Sequence, residues 1–431
     1  MAVPYVDLLR RRRVIAPFAA VFIARLPLAM TPLGAVVLIA EIHGSYTRAG
    51  LISGTIALTT AVSAPVWGRL MDRAGQPRII LGTSIGAALL LATFVLVAVA
   101  GAPFEVLMGL AALVGLSTPP VNPAMRVAWS VIVPDETERN AAYALDASMV
   151  ESVFVLGPLL LSVLLAGPAA LPLLVTAALT LAGGIGYAGT FAAGHWRPLR
   201  SASERRAGMS PLRSPGTALT LAVGLAMAVA FGQFDVAMTA TAQRVFESDT
   251  VLGLFFVSAA IGSTAGGLWY GSRPLPGQER HRLPVALTGF AAGAAALAIV
   301  LTAQPSPPLP VLLAVLLATG LFIAPSLIVQ QSLIDRHTAP DRRSEAQAWL
   351  TTGLTAGSAA GMSIAGLLVD LAAPAAAFAG GSVALVLAVL VALLAQRWWR
   401  PGDLVSISGE GAPHQQRRAG RESQTPAGDG A

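Results

Sequence analysis

Long apolar runs separated by short polar stretches recur along the whole chain. In the first half they cover about 14–40, 48–67, 79–101, 104–126, 141–166 and 169–194. In the second half they cover about 216–243, 250–271, 284–303, 309–333, 346–370 and 373–397. Each run is about 20–27 residues, the length of helix that crosses a hydrocarbon core. The pattern predicts an all-α membrane protein with twelve transmembrane helices. Between the two sets lies 195–215, a polar linker with Arg197, Arg200, Arg205, Arg206 and Arg213. The expected organisation is an N-terminal segment 1–13, a six-helix half 14–194, the linker, a six-helix half 216–399 and a tail 400–431. The tail is rich in Gly, Ser, Pro, Gln and Arg and is expected to be disordered.

Composition agrees. Charged residues make up 12% of the 431 residues and apolar residues 55%. A soluble protein carries about 25% charged residues. The net charge of +6 raises nucleic acid as a partner, but the charge sits in short loops between apolar runs, which argues against it. Cysteine is absent, so disulfides and thiolate metal sites are excluded. The five histidines stand singly, without metal-ligand spacing. No nucleophile–base set and no G-x-x-x-x-G-K-[ST] loop appears, so neither an enzyme nor an ATP-driven pump is expected, and no cofactor. Arg10 to Arg13 precede the first run as in a signal peptide, but the run is too long for a signal core and is expected to stay.

The arginines orient the helices. With the N-terminus in the cytoplasm, cytoplasmic segments hold all of the 28 basic residues except Arg25, Arg48 and Arg244. The outer loops after spans 3, 5 and 9 hold none. This is the positive-inside asymmetry, with both termini inside. The halves also echo each other. Val114-Gly115-Leu116 precedes Pro134-Asp135 at about the spacing by which Thr319-Gly320-Leu321 precedes Pro340-Asp341. Trp67-Gly68-Arg69 has a faint counterpart in Tyr270-Gly271-Ser272-Arg273.

Between spans 2 and 3 the chain reads Gly-Arg-Leu-Met-Asp-Arg-Ala-Gly-Gln-Pro-Arg over 68–78, a tight cytoplasmic loop. Its Gly68, Asp72, Arg73, Gly75 and Arg78 resemble the signature loop of the major facilitator superfamily of secondary transporters, here of bacterial type. The resemblance implies two pseudo-symmetric six-helix halves, and a loop that latches the outward-facing state. Gln76-Pro77 departs from a stretch that is often basic in the family. The second-half counterpart, Gly271 to Arg273, has no Asp-Arg pair, so any latch is asymmetric.

Charges inside the spans are costly and mark candidate sites. Arg25 lies near the middle of span 1 and Glu151 about ten residues into span 5. They are expected to pair, either lining a substrate cavity or only holding the first half together. Asp235 in span 7 lies nine residues from Arg244, about 13 Å along the axis. It is the candidate protonatable coupling group, with Gln233 and Asn122 as polar cavity residues. The rival reading of Asp235 is a carboxylate in an outer vestibule. Asp146 is read as lying at the cytoplasmic interface. Prolines fall in span 1 (Pro27, Pro32), span 4 (Pro119, Pro120, Pro123), span 5 (Pro158) and span 10 (Pro325), where bends serve gating. Ser117 and Thr118, and Gln330 and Gln331, add polar groups to spans 4 and 10, which line the cavity of the family fold.

Gly157-Pro158 resembles the Gly-Pro core of a motif in proton-linked drug exporters. Val153 to Leu156 lack its earlier glycines, and 108–115 of span 4 lacks the embedded arginine of proton-coupled members; Arg126 lies too far along. The expected function is transport of a small organic solute by alternating access, with efflux preferred and proton coupling left open. The chain is expected to work as a monomer in the cytoplasmic membrane. The alternative is a non-transporting sensor or assembly factor on the same scaffold.

Overall fold

The computed structural model of the chain describes residues 10–133, 136–190, 214–271, 279–304, 306–338 and 343–399. Among them it forms α1 (Arg12–His43), α2 (Tyr46–Ala74), α3 (Gln76–Val99), α4 (Phe104–Leu116), α5 (Val121–Ile132), α6 (Glu136–Leu164) and α7 (Leu171–Ala188). Then follow α8 (Pro215–Arg244), α9 (Asp249–Gly271), α10 (Glu279–Ala303), α11 (Leu309–Gly320), α12 (Ile323–His337), α13 (Arg343–Leu371) and α14 (Pro374–Leu394). No strand occurs among the described residues. Helix is the natural answer to these sequences, because in lipid each backbone N–H and C=O needs a partner within its own segment. Leu89, Val163, Leu268 and Leu394 stand exposed on the outside of the bundle, as side chains facing lipid do.

Eleven stretches are long and apolar enough to cross a bilayer. The remaining helix, α6, is apolar only over Ser152–Leu164, because its first half carries Glu138 and Asp146. It nevertheless runs for 29 residues and completes a set of twelve spans.

Spans 4 and 10 are each broken in two. In span 4 the helix stops at Leu116 and resumes at Val121, across Ser117, Thr118, Pro119 and Pro120. The second proline lacks an N–H, and the residue before each proline is pushed out of the helical region. In span 10 the break falls at Leu321 and Phe322, with no proline in it. The first break follows the echoed Val-Gly-Leu triplet, and the second begins on the last residue of the Thr-Gly-Leu triplet. The two glycines serve the same purpose. A side chain on Gly115 would strike Thr59 and the Ile56 carbonyl of α2. One on Gly320 would strike the Ala259 carbonyl and Ser263 of α9. Bare backbone is what lets these helices touch.

The other prolines do less than the sequence suggests. Pro27 and Pro32 lie inside the continuous α1, and Pro158 inside α6. Pro325 is the third residue of α12, where a missing N–H costs little. The 68–78 stretch is also not a loop. Helix α2 continues to Ala74, Gly75 alone makes the joint at φ +88°, and α3 begins at Gln76 with Pro77 in its first turn. That positive φ is a conformation L side chains rarely adopt, so glycine belongs there.

The helices before the 195–215 linker meet those after it through α2–α13, α6–α9, α1–α8 and α2–α8. The α2–α13 contact is a seam of small residues. Gly50 lies against the Met362 carbonyl, Gly54 against the Ala359 carbonyl and Ser363, and Gly366 against the Tyr46 carbonyl. In the α6–α9 contact, the Gly253 N–H donates to Ser162 Oγ at 3.2 Å, and that hydroxyl donates to the Thr250 carbonyl. These residues lie near the starts of α2 and α9 and the ends of α6 and α13. They therefore share one end of the bundle, opposite the end where α1 begins.

Candidate functional site

Three places concentrate polar chemistry: the joined end, a buried arginine nearer the opposite end, and the middle of α8.

At the joined end, Asp370 in the last turns of α13 reaches across to the start of α2. Its Oδ1 accepts from the Tyr46 N–H at 3.0 Å, and its Oδ2 from the Thr47 N–H at 2.7 Å. Ser45 Oγ donates to Oδ2 at 2.8 Å. The first N–H groups of a helix have no partner of their own, and the helix dipole favours an anion there. A carboxylate from one half thus caps a helix of the other. Ser45 also caps α2 locally, accepting from the Arg48 N–H at 3.2 Å. From the end of α8, Arg244 donates to Asp370 Oδ1 and to the Val369 carbonyl, both at 2.8 Å. Its guanidinium lies 4.6 Å from the centre of the Tyr46 ring, and Tyr46 Oη donates to Gln243 Oε1 at 2.7 Å. Two of the three arginines that break the charge asymmetry thereby gain roles. Arg244 completes this clasp, and Arg48 lies over the Phe104 ring at 5.6 Å.

Arg25 is buried, with 1% of its surface exposed. Its partner is Asp146 rather than the expected Glu151. Nη1 donates to Asp146 Oδ1 at 2.8 Å and Nη2 to Oδ2 at 3.3 Å. Nε donates to Asn122 Oδ1 at 2.7 Å, and Met149 Sδ lies 3.3 Å from Nη1. The physical reason is side-chain direction. Helical side chains lean toward their N-terminus, so a long arginine reaches about one turn below its own Cα. Depth counted along Cα positions selects Glu151; depth of the guanidinium selects Asp146. Glu151 lies on α6, with its side chain outside the described residues. Arg25 itself does not face open space. The exposed members of the network are Asn122 and, with a side chain 16% exposed, Asp146.

A second chain of contacts leads from this network to the Gly75 joint. Tyr187 Oη on α7 donates to Gln76 Oε1 at 2.8 Å. Gln76 Nε2 donates to the Ala124 carbonyl of α5, the helix that carries Asn122. Gln76, the departure from the family loop, is 2% exposed and anchors the joint inward. Around it Arg73 and Arg78 stand exposed without a hydrogen bond or ion pair among the described residues, and a side chain on Gly68 would meet nothing within 4 Å. The Asp72 side chain lies outside the described residues.

On α8, Asp235 is half-buried, and its carboxylate has no hydrogen bond or ion pair among the described residues. Gln233 does not join it. Its Oε1 is buried without a partner and lies against Gly380 of α14. That puts Gln233 in the packing of the second half rather than in a cavity. Phe234 between them packs on Phe290 and Phe378, with ring centres 5.3 and 5.2 Å away. Gly157 of the Gly-Pro pair lies against Ala29 of α1, a close approach between neighbouring helices. No group of acidic, histidine or cysteine side chains able to hold a metal occurs among the described residues.

Asp370, Arg244 and Asp146 could be found in the sequence only as charges at or inside span ends. Ser45 after Gly44 is a helix-start signal. Nothing local says that its partner lies 325 residues away.

Similar architecture occurs in solved transporters. A variant of the nucleoside transporter NupG superposes with a TM-score of 0.69 at 11% identity, covering 89% of this chain and 100% of that one. A variant of the peptide transporter POT gives 0.69 at 15% identity, covering 93% and 99%. A bacterial homologue of the human lysosomal transporter Spinster, inward-facing and unoccupied, gives 0.63 at 16%, covering 93% and 97%. No curated protein matches the chain significantly. The family model of the Major Facilitator Superfamily matches residues 17–273 and 278–418, and the chain, a multi-pass membrane protein of that fold, belongs to this superfamily.

Proposed function

We propose that the chain is a secondary active transporter of a small organic solute working by alternating access. The observation that carries this reading is the contrast between its ends. The inter-half bonds of the described residues cluster around Asp370, Tyr46 and Ser162. The opposite end leaves Arg73 and Arg78 without a partner among the described residues. Only one closed end at a time is what alternating access requires. The arginine distribution supports placing both termini in the cytoplasm, and in this reading the chain works as a monomer in the cytoplasmic membrane. In that orientation the closed end is the outer gate and the state is inward-open.

Asp235 is the coupling group in this reading, because a carboxylate without a counter-charge in a membrane interior changes protonation at low cost. Asn122 and Asp146 form the polar wall opposite, on the first half. Export is the preferred direction, on the Gly157-Pro158 resemblance. Counterflow in proteoliposomes across a panel of radiolabelled solutes tests the reading. Saturable exchange of at least one solute is expected. If none exchanges and none raises the melting temperature, the scaffold serves sensing or assembly instead. In a transporting preparation, Asp235→Asn is expected to abolish the pH dependence of uptake; a retained pH dependence removes Asp235 from the coupling role.

A further inference from the structure

At the end where α1 begins, the start of α10 and the short 3-10 turn Ala395–Arg397 after α14 border an open groove of about 400 Å³. Arg280, His281, Leu393, Leu394, Gln396 and Arg397 line it. The two segments are stapled together. Arg280 Nη1 donates to the Gln396 carbonyl at 3.3 Å, and Gln396 Nε2 donates to the Arg280 carbonyl at 2.6 Å. The Arg280 Nε is buried and has no acceptor among the described residues. The Arg397 guanidinium lies 3.7 Å from the centre of the Trp398 ring and is exposed, as is His281. Among the described residues no carboxylate lines the groove. In sequence, 279–282 and 396–400 together hold four arginines against one glutamate.

Depth is fixed by aromatic residues. Trp269 and Tyr270 at the end of α9, with Trp398, mark this level as the headgroup zone, where amphipathic rings settle. Trp399 Nε1 donates to the Gly216 carbonyl and to Thr220 Oγ1, which holds the turn against α8. Immediately toward the bilayer centre, Leu393 and Leu394 are 52% and 68% exposed on the lipid side.

We propose that this groove is a binding site for the headgroup of an anionic phospholipid. Arginine donors left without acceptors match a phosphodiester. The leucine lip suits the acyl chains below it. A zwitterionic lipid fits worse, because its amine would meet Arg397 and His281 and no acid among the described residues. Basic pockets between transmembrane helices hold anionic headgroups in this way. The inference rests on the membrane-spanning fold and not on the transport reading, so a chain that moves no solute would still bind the lipid.

The test is native mass spectrometry of the full-length protein with phosphatidylglycerol or phosphatidylcholine, and, separately, inorganic phosphate. Wild type is expected to retain phosphatidylglycerol preferentially. Arg397→Gln, which leaves the backbone staple intact, should weaken retention about fivefold, and Arg280→Gln with Arg397→Gln by about tenfold or more. Equal retention of both lipids by wild type overturns the proposal, as does unchanged phosphatidylglycerol retention in the double variant. Inorganic phosphate displacing the lipid at low millimolar concentration identifies a soluble phosphate site instead, and also overturns it. Arg397→Gln provides the decisive comparison should the double variant fail to fold.

Discussion

The two ends of the bundle handle charge in opposite ways. At the joined end one carboxylate, Asp370, takes four donors from two segments, and the helices behind it meet through Gly50, Gly54 and Gly366. At the other end Arg73 and Arg78 of the α2–α3 joint stand exposed without a partner among the described residues, and the ion pairing is internal to the first half, between Arg25 and Asp146 and between Arg11 and Glu138. The difference teaches where the energy of each contact goes. The Asp370 clasp binds one half to the other and must break for that end to open. The Arg25 network binds helices within one half and must survive the same motion.

Changes at the two places should therefore fail differently. The largest effect is expected from Arg25→Ala, which strands Asp146 partly buried without a counter-charge and should cost about 3–5 kcal/mol of stability. Thermal unfolding in detergent would register it as a large fall in melting temperature. A normal melting temperature with lost transport would instead give Arg25 a direct part in solute handling. Asp370→Ala removes the trans cap and should shift the balance toward opening of that end by about 2–3 kcal/mol, with little loss of fold. Because the chain has no native cysteine, a single cysteine replacing buried Met362 would read the shift as faster modification from that side. Unaltered modification would mean that the clasp does not hold the gate. Gly54→Val should act in the same direction by about 1–3 kcal/mol, through collision with the Ala359 carbonyl. Arg244→Gln should shift it by under about 1 kcal/mol, since that arginine is partly exposed. Arg73→Gln should leave the stability of this state within about 0.5 kcal/mol, an effect that distinguishes an idle joint from an engaged one.

Much of the fold could be read from the chain because bilayer thickness sets a length and the apolar runs meet it. The broken fourth span was visible in Pro119-Pro120. The broken tenth was not, since Leu321 and Phe322 read as ordinary helix; only the echo of Gly115 in Gly320 pointed to it. The site was harder. Asp146 was assigned to the interface because Cα depth ignores the reach of an arginine. Gln233 was expected in the cavity because it shares a helix with Asp235, yet two residues of helix turn it to another face. Asp370 carried no local signal at all, because capping in trans is a property of the assembled halves.

The break at Ser117 to Pro120 has a mechanical consequence. Above it, α4 packs on α2 and α3; below it, α5 packs on α1 and α6 and is tied to Arg25 through Asn122. The two segments of the fourth span thus answer to different neighbours: α4 is packed with the α2 seam, while Asn122 on α5 is held to α1 and α6 through Arg25 and its partner Asp146.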